Sequence, residues 1–274
     1  MKKRRFLSRL LFTFLLFTLF TLNVFSQGQS ILQWMRQDKA LDLYLTTNWK
    51  ELEKKKDDKI YMPARLFLKK ENGDTMALDL KCKTRGHMRL TICGNPPLKL
   101  KFSKSELAKR SCSEMNEIDL VHPCQNGEAY DQYILREYLA YKLYQLVAPV
   151  SYHVQLVNIH YKNPDQAEAF ESSMGFLVEN EEELVQRLGG RSSQVAVMSE
   201  KAVERESFLR LTLFEFMIGN TDWYIPTRHN LDFIVVPGYK LMVPVPYDFD
   251  YSGLVGAHYA AHHESIKLPT VVTR

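Results

Sequence analysis

The chain has 274 residues, of which 45% are hydrophobic, and a formal net charge of +4 at pH 7. That content predicts a substantial core, in one globular domain or two closely packed lobes. Five basic residues and no acidic residue lie within residues 1–26, so the remainder carries a net charge of −1. The basic pI therefore gives no support to a nucleic-acid partner.

Residues 1–26 have the pattern of a secretory signal peptide. A basic start is followed by an apolar run, and the short residues Val24 and Ser26 precede Gln27. This pattern predicts cleavage and export to the periplasm or the extracellular space, with no stable membrane span in the mature chain. An uncleaved signal anchor is the alternative, because the apolar run approaches spanning length.

Four cysteines lie in the first half of the chain, at Cys82, Cys93, Cys112 and Cys124. An exported chain meets an oxidising environment, so up to two disulfides are expected, with the pairing left open. Their spacings lack paired C-x-x-C motifs, which makes a structural zinc site the weaker interpretation.

Residues 61–102 predict an antiparallel sheet with one cationic face. Two extended runs flank Asn72-Gly73, a dipeptide suited to a hairpin turn, and "PPLKLKF" repeats their alternation. The apolar face carries Leu78, Leu80, Cys82, Leu98, Leu100 and Phe102, and the opposite face carries Lys81, Lys83, Arg85, Lys99 and Lys101.

Helical periodicity begins after this sheet. "AYDQYILREYLAYKLYQLVAP" repeats apolar residues at three- and four-residue steps until Pro149, with Glu137 on the border of the apolar stripe. "YHVQLVNIHY" then predicts a strand. "GFLVENEEELVQRLGG" predicts a strand followed by a helix with Asn180 at its N-cap.

The last third predicts one apolar helix and one hairpin. The helix is apolar almost all round from residue 208 to 218, which favours packing on several sides, and Gly219 ends it. "NLDFIVV" and "YKLMVPVPYDF" form the predicted hairpin, with Asp248 at its exit.

This order of elements is typical of phosphoryl-transfer enzymes of the protein-kinase type. The motifs "RGHMRL", "PPLKLKF", "LREYLAYKL", "GFLVEN", "GNTDW", "HN" and "PYDFDYSG" resemble the spore coat protein H (CotH) kinase family, particularly its exported bacterial members. The resemblance runs from about residue 60 to the end.

The resemblance implies an α+β, two-lobed, atypical protein-kinase-like fold. Its N-lobe, residues 27–175, would hold the antiparallel sheet and the Glu137 helix. Its mainly helical C-lobe, residues 176–274, would carry the catalytic and metal loops, and the chain would be a fragment or a shortened family member at its C-terminus. The implied function is ATP-dependent transfer of the γ-phosphoryl group to a hydroxyl acceptor, with protein Ser or Thr preferred over a small molecule.

The same resemblance implies roles for individual residues. Lys99 would bind nucleotide phosphates with Glu137 as its helix partner, and Arg85 or Arg89 would replace a glycine-rich loop. The backbone of residues 176–179, ending at Glu179, would meet the adenine.

The remaining implied roles belong to the two later motifs. Asp222 would accept the proton of the acceptor hydroxyl, and Asn230, Asp248 and Asp250 would hold Mg²⁺ or Mn²⁺ with ATP. Asp248 is preferred to Asp250 as the main ligand because it ends an apolar strand.

Two alternatives stay open. Asn230 follows Asp222 by eight residues, where the ordinary kinase catalytic loop has five, so a catalytically weak nucleotide- or partner-binding module is one alternative. The other is a zinc-dependent hydrolase in which His258 and His262 share a helix face, with Glu264 or Asp248 as a further ligand.

Overall fold

The computed structural model describes residues 28–86 and 88–261. The helices are α1 (Ile31–Met35), α2 (Trp49–Lys54), α3 (Met88–Ile92), α4 (Lys104–Lys109), α5 (Glu128–Val147), α6 (Glu181–Arg187) and α7 (Arg205–Ile218). The strands are β1 (Leu41–Thr47), β2 (Met62–Lys69), β3 (Thr75–Thr84), β4 (Leu98–Phe102), β5 (Glu117–Val121), β6 (Val154–Lys162), β7 (Glu171–Val178), β8 (Arg191–Ser192), β9 (Leu231–Val235) and β10 (Val243–Pro246).

Seven strands close into a barrel in the order β1-β2-β3-β4-β5-β7-β6. Six of the neighbouring pairs are antiparallel. The closing pair, β1 with β6, is parallel and aligns Leu41 with Val157. Closure leaves the sheet without a free edge strand.

Strict alternation explains why these runs form barrel strands. Every second residue of β1, beginning at Leu41, is buried, and β4 shows the same pattern. The predicted hairpin is confirmed, since Lys69 pairs with Thr75 across a turn in which Gly73 has φ of 90°. The inward-facing leucines fill the barrel, and the outward face of β3 and β4 carries the lysines.

The prediction of a two-lobed protein-kinase-like fold with an antiparallel N-lobe sheet is wrong. The first sheet is a closed, mixed barrel, because β1 and β5 complete it and β1 pairs parallel to β6. The sequence patterns predicted β6 but neither β1 nor β5. Leucines alternate with other residues over residues 41–45, and this period of two is typical of a strand and could have predicted β1.

The two ends of the barrel are covered differently. Ile31, Leu32 and Met35 of α1 and Leu107 of α4 belong to the barrel core and close the end where β1 begins. At the other end α2 contributes Leu52 to this core. The second end therefore receives less apolar cover from helices.

A second sheet follows the barrel, with order β10-β9-β8. The hairpin of β9 and β10 is confirmed, and so are α5, β6, β7 and α6, whose N-cap Asn180 accepts from the backbone of Glu183. β7 runs through residue 175, the predicted lobe boundary.

Helix α7 departs from the expectation that it is packed on several sides. One face buries Leu211, Phe214 and Ile218, but another leaves apolar side chains in solvent. The exposed set is Leu209, Leu213, Phe216 and Met217. Although apolar residues occur almost all round α7, only one face of the helix is buried.

Two further observations concern the cysteines and the length of the helices. Cys93 and Cys124 form a disulfide, whereas Cys82 and Cys112 are free. Within residues 28–86 and 88–261, no helix has both the length and the apolar character needed to cross a membrane. The predicted signal peptide lies outside the described residues.

Candidate functional site

Helix α5 places Glu137 in the interior between the barrel and the C-terminal part of the chain. Tyr138 and Tyr141 of this helix contact the ring of Phe176 on β7, which fixes the helix against the barrel wall. Glu137 precedes Tyr138, lies one turn before Tyr141 on the helix, and is 1% exposed. A fully buried carboxylate requires compensation by charge or by a proton.

Arg89 supplies part of that compensation. It lies on α3, which follows Gly86 with φ of 90°, and it is buried. Its Nε is 3.5 Å from Oδ2 of Asp250, and its Nη2 donates to the Tyr259 hydroxyl at 3.2 Å. Tyr259 also lies near Asp250 and favours its charged form, which lowers the pKa of that carboxyl. One guanidinium therefore holds a carboxylate and a phenol from the C-terminal segment.

The carboxylates of this cluster exceed the positive charge of Arg89. Burial raises the pKa of Glu137 well above its usual value, Arg89 partly offsets this, and Asp250 and Asp248 raise it further. Burial and the neighbouring Asp248 raise the pKa of Asp250 to about 7, against the opposing effect of Arg89. The cluster therefore favours an added proton or cation.

The loop after α7 places Asp222 and Asn230 together. Gly219 ends the helix with φ of 66°, and Asn220 then accepts a hydrogen bond from the backbone N–H of Asp222 at 3.0 Å. The Asn230 side-chain amide donates to Oδ2 of Asp222 at 3.0 Å. His229 Nε2 is 2.9 Å from Oδ1 of Asp222.

Backbone contacts join this loop to Asp248. The N–H of Tyr247 donates to the carbonyl of Asn230 at 3.1 Å, and the N–H of Asp248 donates to the Tyr141 hydroxyl at 2.9 Å. Asn230 and Asp248 have φ of 52° and 62°, left-handed conformations that Asn and Asp tolerate better than most residues. The Asx residues thus have a turn-forming role here as well.

Lys99 and Arg85 lie on the outer face of the barrel and share Asp119. Lys99 Nζ is 3.0 Å from Oδ1 of Asp119, and Arg85 Nε is 3.5 Å from Oδ2. The predicted pairing of Lys99 with Glu137 is not among the ion pairs of the described residues. Arg89, which pairs with Asp250, is instead the cation that most favours the charged form of Glu137. Arg85 still contributes to the field at Glu137.

Glu179 has its partners within the chain. Both of its carboxylate oxygens accept from Arg187, at 2.7 and 2.9 Å, and its Oε2 also accepts from the backbone of His153 at 2.9 Å. Its backbone N–H donates to the His153 carbonyl. The side chain therefore joins Arg187, the last residue of α6, to the segment just before β6.

The oxygen atoms of Asn230, Asp248 and Asp250 are the candidate ligands for a divalent cation. In the part of the chain that the structure describes, no three His, Cys, Asp or Glu side chains are grouped to hold a metal. Mg²⁺, however, commonly takes one or two protein carboxylates, with phosphate oxygens and water filling the octahedron. The partly buried Asp248 carboxylate, the amide oxygen of Asn230 and the excess negative charge near Asp250 fit that requirement.

The histidines of the zinc alternative are only partly described. The His258 ring contacts Tyr130, Tyr133 and Tyr259 at centroid distances of 5.5, 6.1 and 5.4 Å. His262 and Glu264 lie outside the described residues. The surroundings of His258 are aromatic.

Tyr141 and Tyr259 are the members of the site that sequence reasoning missed. Both are bound through their hydroxyls, to Asp248 and to Arg89. The spacing of Glu137 and Tyr141, one helical turn apart, was the available signal for the first. Tyr259 follows no regular pattern.

No protein-family model matches the sequence and no curated protein is similar to it, so the resemblance to the CotH kinase family stays a prediction.

Proposed function

We propose that this chain is an exported ATP-dependent phosphotransferase that moves the γ-phosphoryl group to a hydroxyl of a protein or small molecule. The observation that carries the proposal is that Asp222, Asn230 and Asp248 lie in one region. The Asn230 amide donates to Asp222, and the N–H of Tyr247, the residue before Asp248, donates to the Asn230 carbonyl. The proposal rests on this site and not on the fold, since one fold serves many functions.

Asp222 is the proposed general base that accepts the proton of the acceptor hydroxyl. It is partly exposed and comes from a loop held by Asn220 and Asn230. The acceptor oxygen bonds to the γ-phosphorus, the bond to the bridging oxygen of ADP breaks, and Asp222 takes the hydroxyl proton. His229 orients the carboxylate from its other oxygen.

Asp248 and Asn230 are the residues that would hold the cation, with Asp250 behind them. A bound Mg²⁺ would neutralise phosphate charge and align the phosphates. Asp250 is held by Arg89 and Tyr259, so it contributes negative charge from a fixed position. The hydrogen bond from the Asp248 backbone to Tyr141 orients the loop that carries the main ligand.

Lys99 and Arg85 are the cations that nucleotide phosphates would meet. Their shared partner Asp119 keeps both side chains on one part of the barrel face. Phosphate oxygens compete with this carboxylate for the same two cations, because charge-assisted hydrogen bonds to phosphate are strong. Release of Asp119 then accompanies nucleotide binding.

The test separates binding from transfer in two variants. Asp248→Asn should weaken stabilisation of the protein by Mg²⁺ with ATP and also reduce transfer of labelled γ-phosphate. Asp222→Asn should leave that stabilisation near wild type and reduce turnover by roughly 10²-fold or more. Thermal shift and autophosphorylation, in Mg²⁺ or Mn²⁺, give the two measurements.

Asp79→Asn is the matched control, because Asp79 is exposed on β3 and its side chain is 83% accessible. It should change neither measurement. Full transfer by both site variants would overturn the proposal, and equal loss of folding in both would assign these residues to turn formation.

One observation favours a nucleotide-binding module without transfer as the second candidate. Lys99 pairs with Asp119 and Glu117, so the cation proposed for phosphate is already neutralised within the chain. ATP-dependent stabilisation without any phosphate transfer, to the chain itself or to added protein, would support this candidate.

A further inference from the structure

A cavity of about 320 Å³ opens at the second end of the barrel, and its lining includes no residue of the carboxylate cluster. It lies where β1, β3, β5 and β6 end and where β4 and β7 begin. Its volume is at the lower end of the roughly 300–1,000 Å³ range of small-molecule sites, which also occur at barrel mouths.

Aromatic rings form much of the wall. Trp49 and Tyr161 meet edge to face with centroids 5.0 Å apart, and Phe170 lies 6.3 Å from Tyr161. The Trp49 indole N–H already donates to the carbonyl of Lys162. Phe170 is 49% exposed and lines the cavity, so part of its ring is accessible at the rim.

The floor is neutral and its hydrogen bonds are complete. His122 is buried, with Nδ1 3.0 Å from the Tyr161 hydroxyl and Nε2 2.8 Å from the carbonyl of Pro96. The Tyr161 hydroxyl also pairs with Ser173. Burial lowers the pKa of His122 to about 4, so the ring is uncharged near neutral pH. The floor therefore offers ring surface and no ionic partner.

The rim is polar and rigid. The Asn95 amide donates to Asn126 at 2.7 Å, and Asn126 donates to Glu171 at 2.9 Å. The Cys93–Cys124 disulfide joins the two loops that carry these amides. The charged lining residues are Glu53, Glu171 and Lys50, so the lining carries a net negative charge.

We propose that this barrel mouth binds a small aromatic compound that carries no negative charge. The ring stacks among Trp49, Tyr161 and Phe170, and its polar substituent meets Asn95, Asn126 and Glu171 at the rim. Neutral and cationic substituents suit these partners, whereas an anion is repelled by Glu53 and Glu171. Binding at this site needs neither ATP nor a metal ion.

Three compounds with one phenol ring test the charge requirement on the purified protein without nucleotide. Tyrosol is neutral, tyramine is cationic and 4-hydroxyphenylacetate is anionic. NMR titration should give binding of the first two and at least about fivefold weaker binding of the anion, since one unfavourable charge contact at a wet site has about that effect. Glu171→Gln should reduce this discrimination.

Phe170→Ala and Phe67→Ala form a matched pair, because both rings are partly exposed and Phe67 lies on β2 outside the cavity. Phe170→Ala should weaken binding of tyrosol about 3- to 10-fold, while Phe67→Ala leaves it unchanged. The backbone bond from residue 170 to Tyr161 survives the change. No detectable binding, equal binding of the anion, or equal effects of the two variants would overturn the proposal.

Discussion

Two charged clusters, one on the barrel face and one under helix α5, contain the same kinds of groups in different surroundings. Lys99 meets Asp119 and Glu117, with 23% of the lysine side chain and 19% of the Asp119 side chain exposed. Arg89 meets Asp250, with only 9% and 6% exposed. The first pair stays in contact with water, whereas the second is almost fully desolvated.

Burial therefore decides what each cluster can do. A wet ion pair contributes little to stability and exchanges partners readily, which suits groups that a phosphate would displace. A desolvated pair costs several kcal/mol when one member is lost, which suits groups that must hold a fixed geometry. Under the proposed function, Lys99 would bind phosphate and Arg89 would position Asp250 and Tyr259.

The largest effect is expected for Arg89→Met. The change leaves Asp250 and Tyr259 without the guanidinium and should lower the free energy of unfolding by about 3–5 kcal/mol, measured by urea denaturation. Arg65→Met is the control, because Arg65 is exposed and its Nε lies 3.9 Å from Asp79. Similar small losses in both variants would break the comparison.

Glu215 extends the comparison to a buried carboxylate whose two oxygens have no hydrogen-bond partner among the residues that the structure describes. Burial raises its pKa to about 8, and the nearby amide of Asn220 only partly opposes this. The folded state then keeps a proton that the unfolded state releases, so stability falls as pH rises from about 4.5 to about 8. Between pH 5 and 7.5 this loss should be about 3 kcal/mol.

Glu215→Gln should remove that part of the decline, measured as urea denaturation at several pH values. Glu206→Gln lies on the same helix at an exposed position and should keep the wild-type profile. Identical pH profiles for the two variants would show that Glu215 ionises in the folded protein as it does in water.

The smallest effect on stability is expected for Lys99→Met. Its ion pairs are partly exposed, so the free energy of unfolding should change by about 1 kcal/mol or less. Transfer of phosphate should nevertheless fall by about tenfold or more, because a phosphate partner is lost. Lys101→Met is the control, since Lys101 pairs with Glu117 on the same face; equal losses of transfer would remove the special role of Lys99.

Local periodicity was sufficient to predict β2, β3, β4 and helix α5, because each repeats its apolar residues with the period of its own structure. Barrel closure could not be found in this way. The parallel pairing places Asp42 beside Asn158, residues that are 116 apart, and no local pattern encodes that contact.

The candidate site was also predictable only in part. The family resemblance assigned Asp222, Asn230 and Asp248 to one site. A hydrogen bond connects Asn230 to Asp222, and another connects Asn230 to Tyr247, the residue before Asp248. The partner of Lys99 was missed because Asp119 lies on β5, a strand that was not predicted. One unpredicted strand therefore changed the interpretation of a lysine on its neighbour.

The parallel closure of the barrel also has a consequence for how the chain folds. β1 can form its hairpin with β2 early, but its other edge has no partner until β6 has been made. Contacts between residues far apart in sequence form slowly, because loop closure must be completed before they contribute stability. Until then β1 is an open edge able to pair with other chains. With the predicted export, this interval would fall during or after translocation, where assistance that delays edge pairing would have most effect on yield.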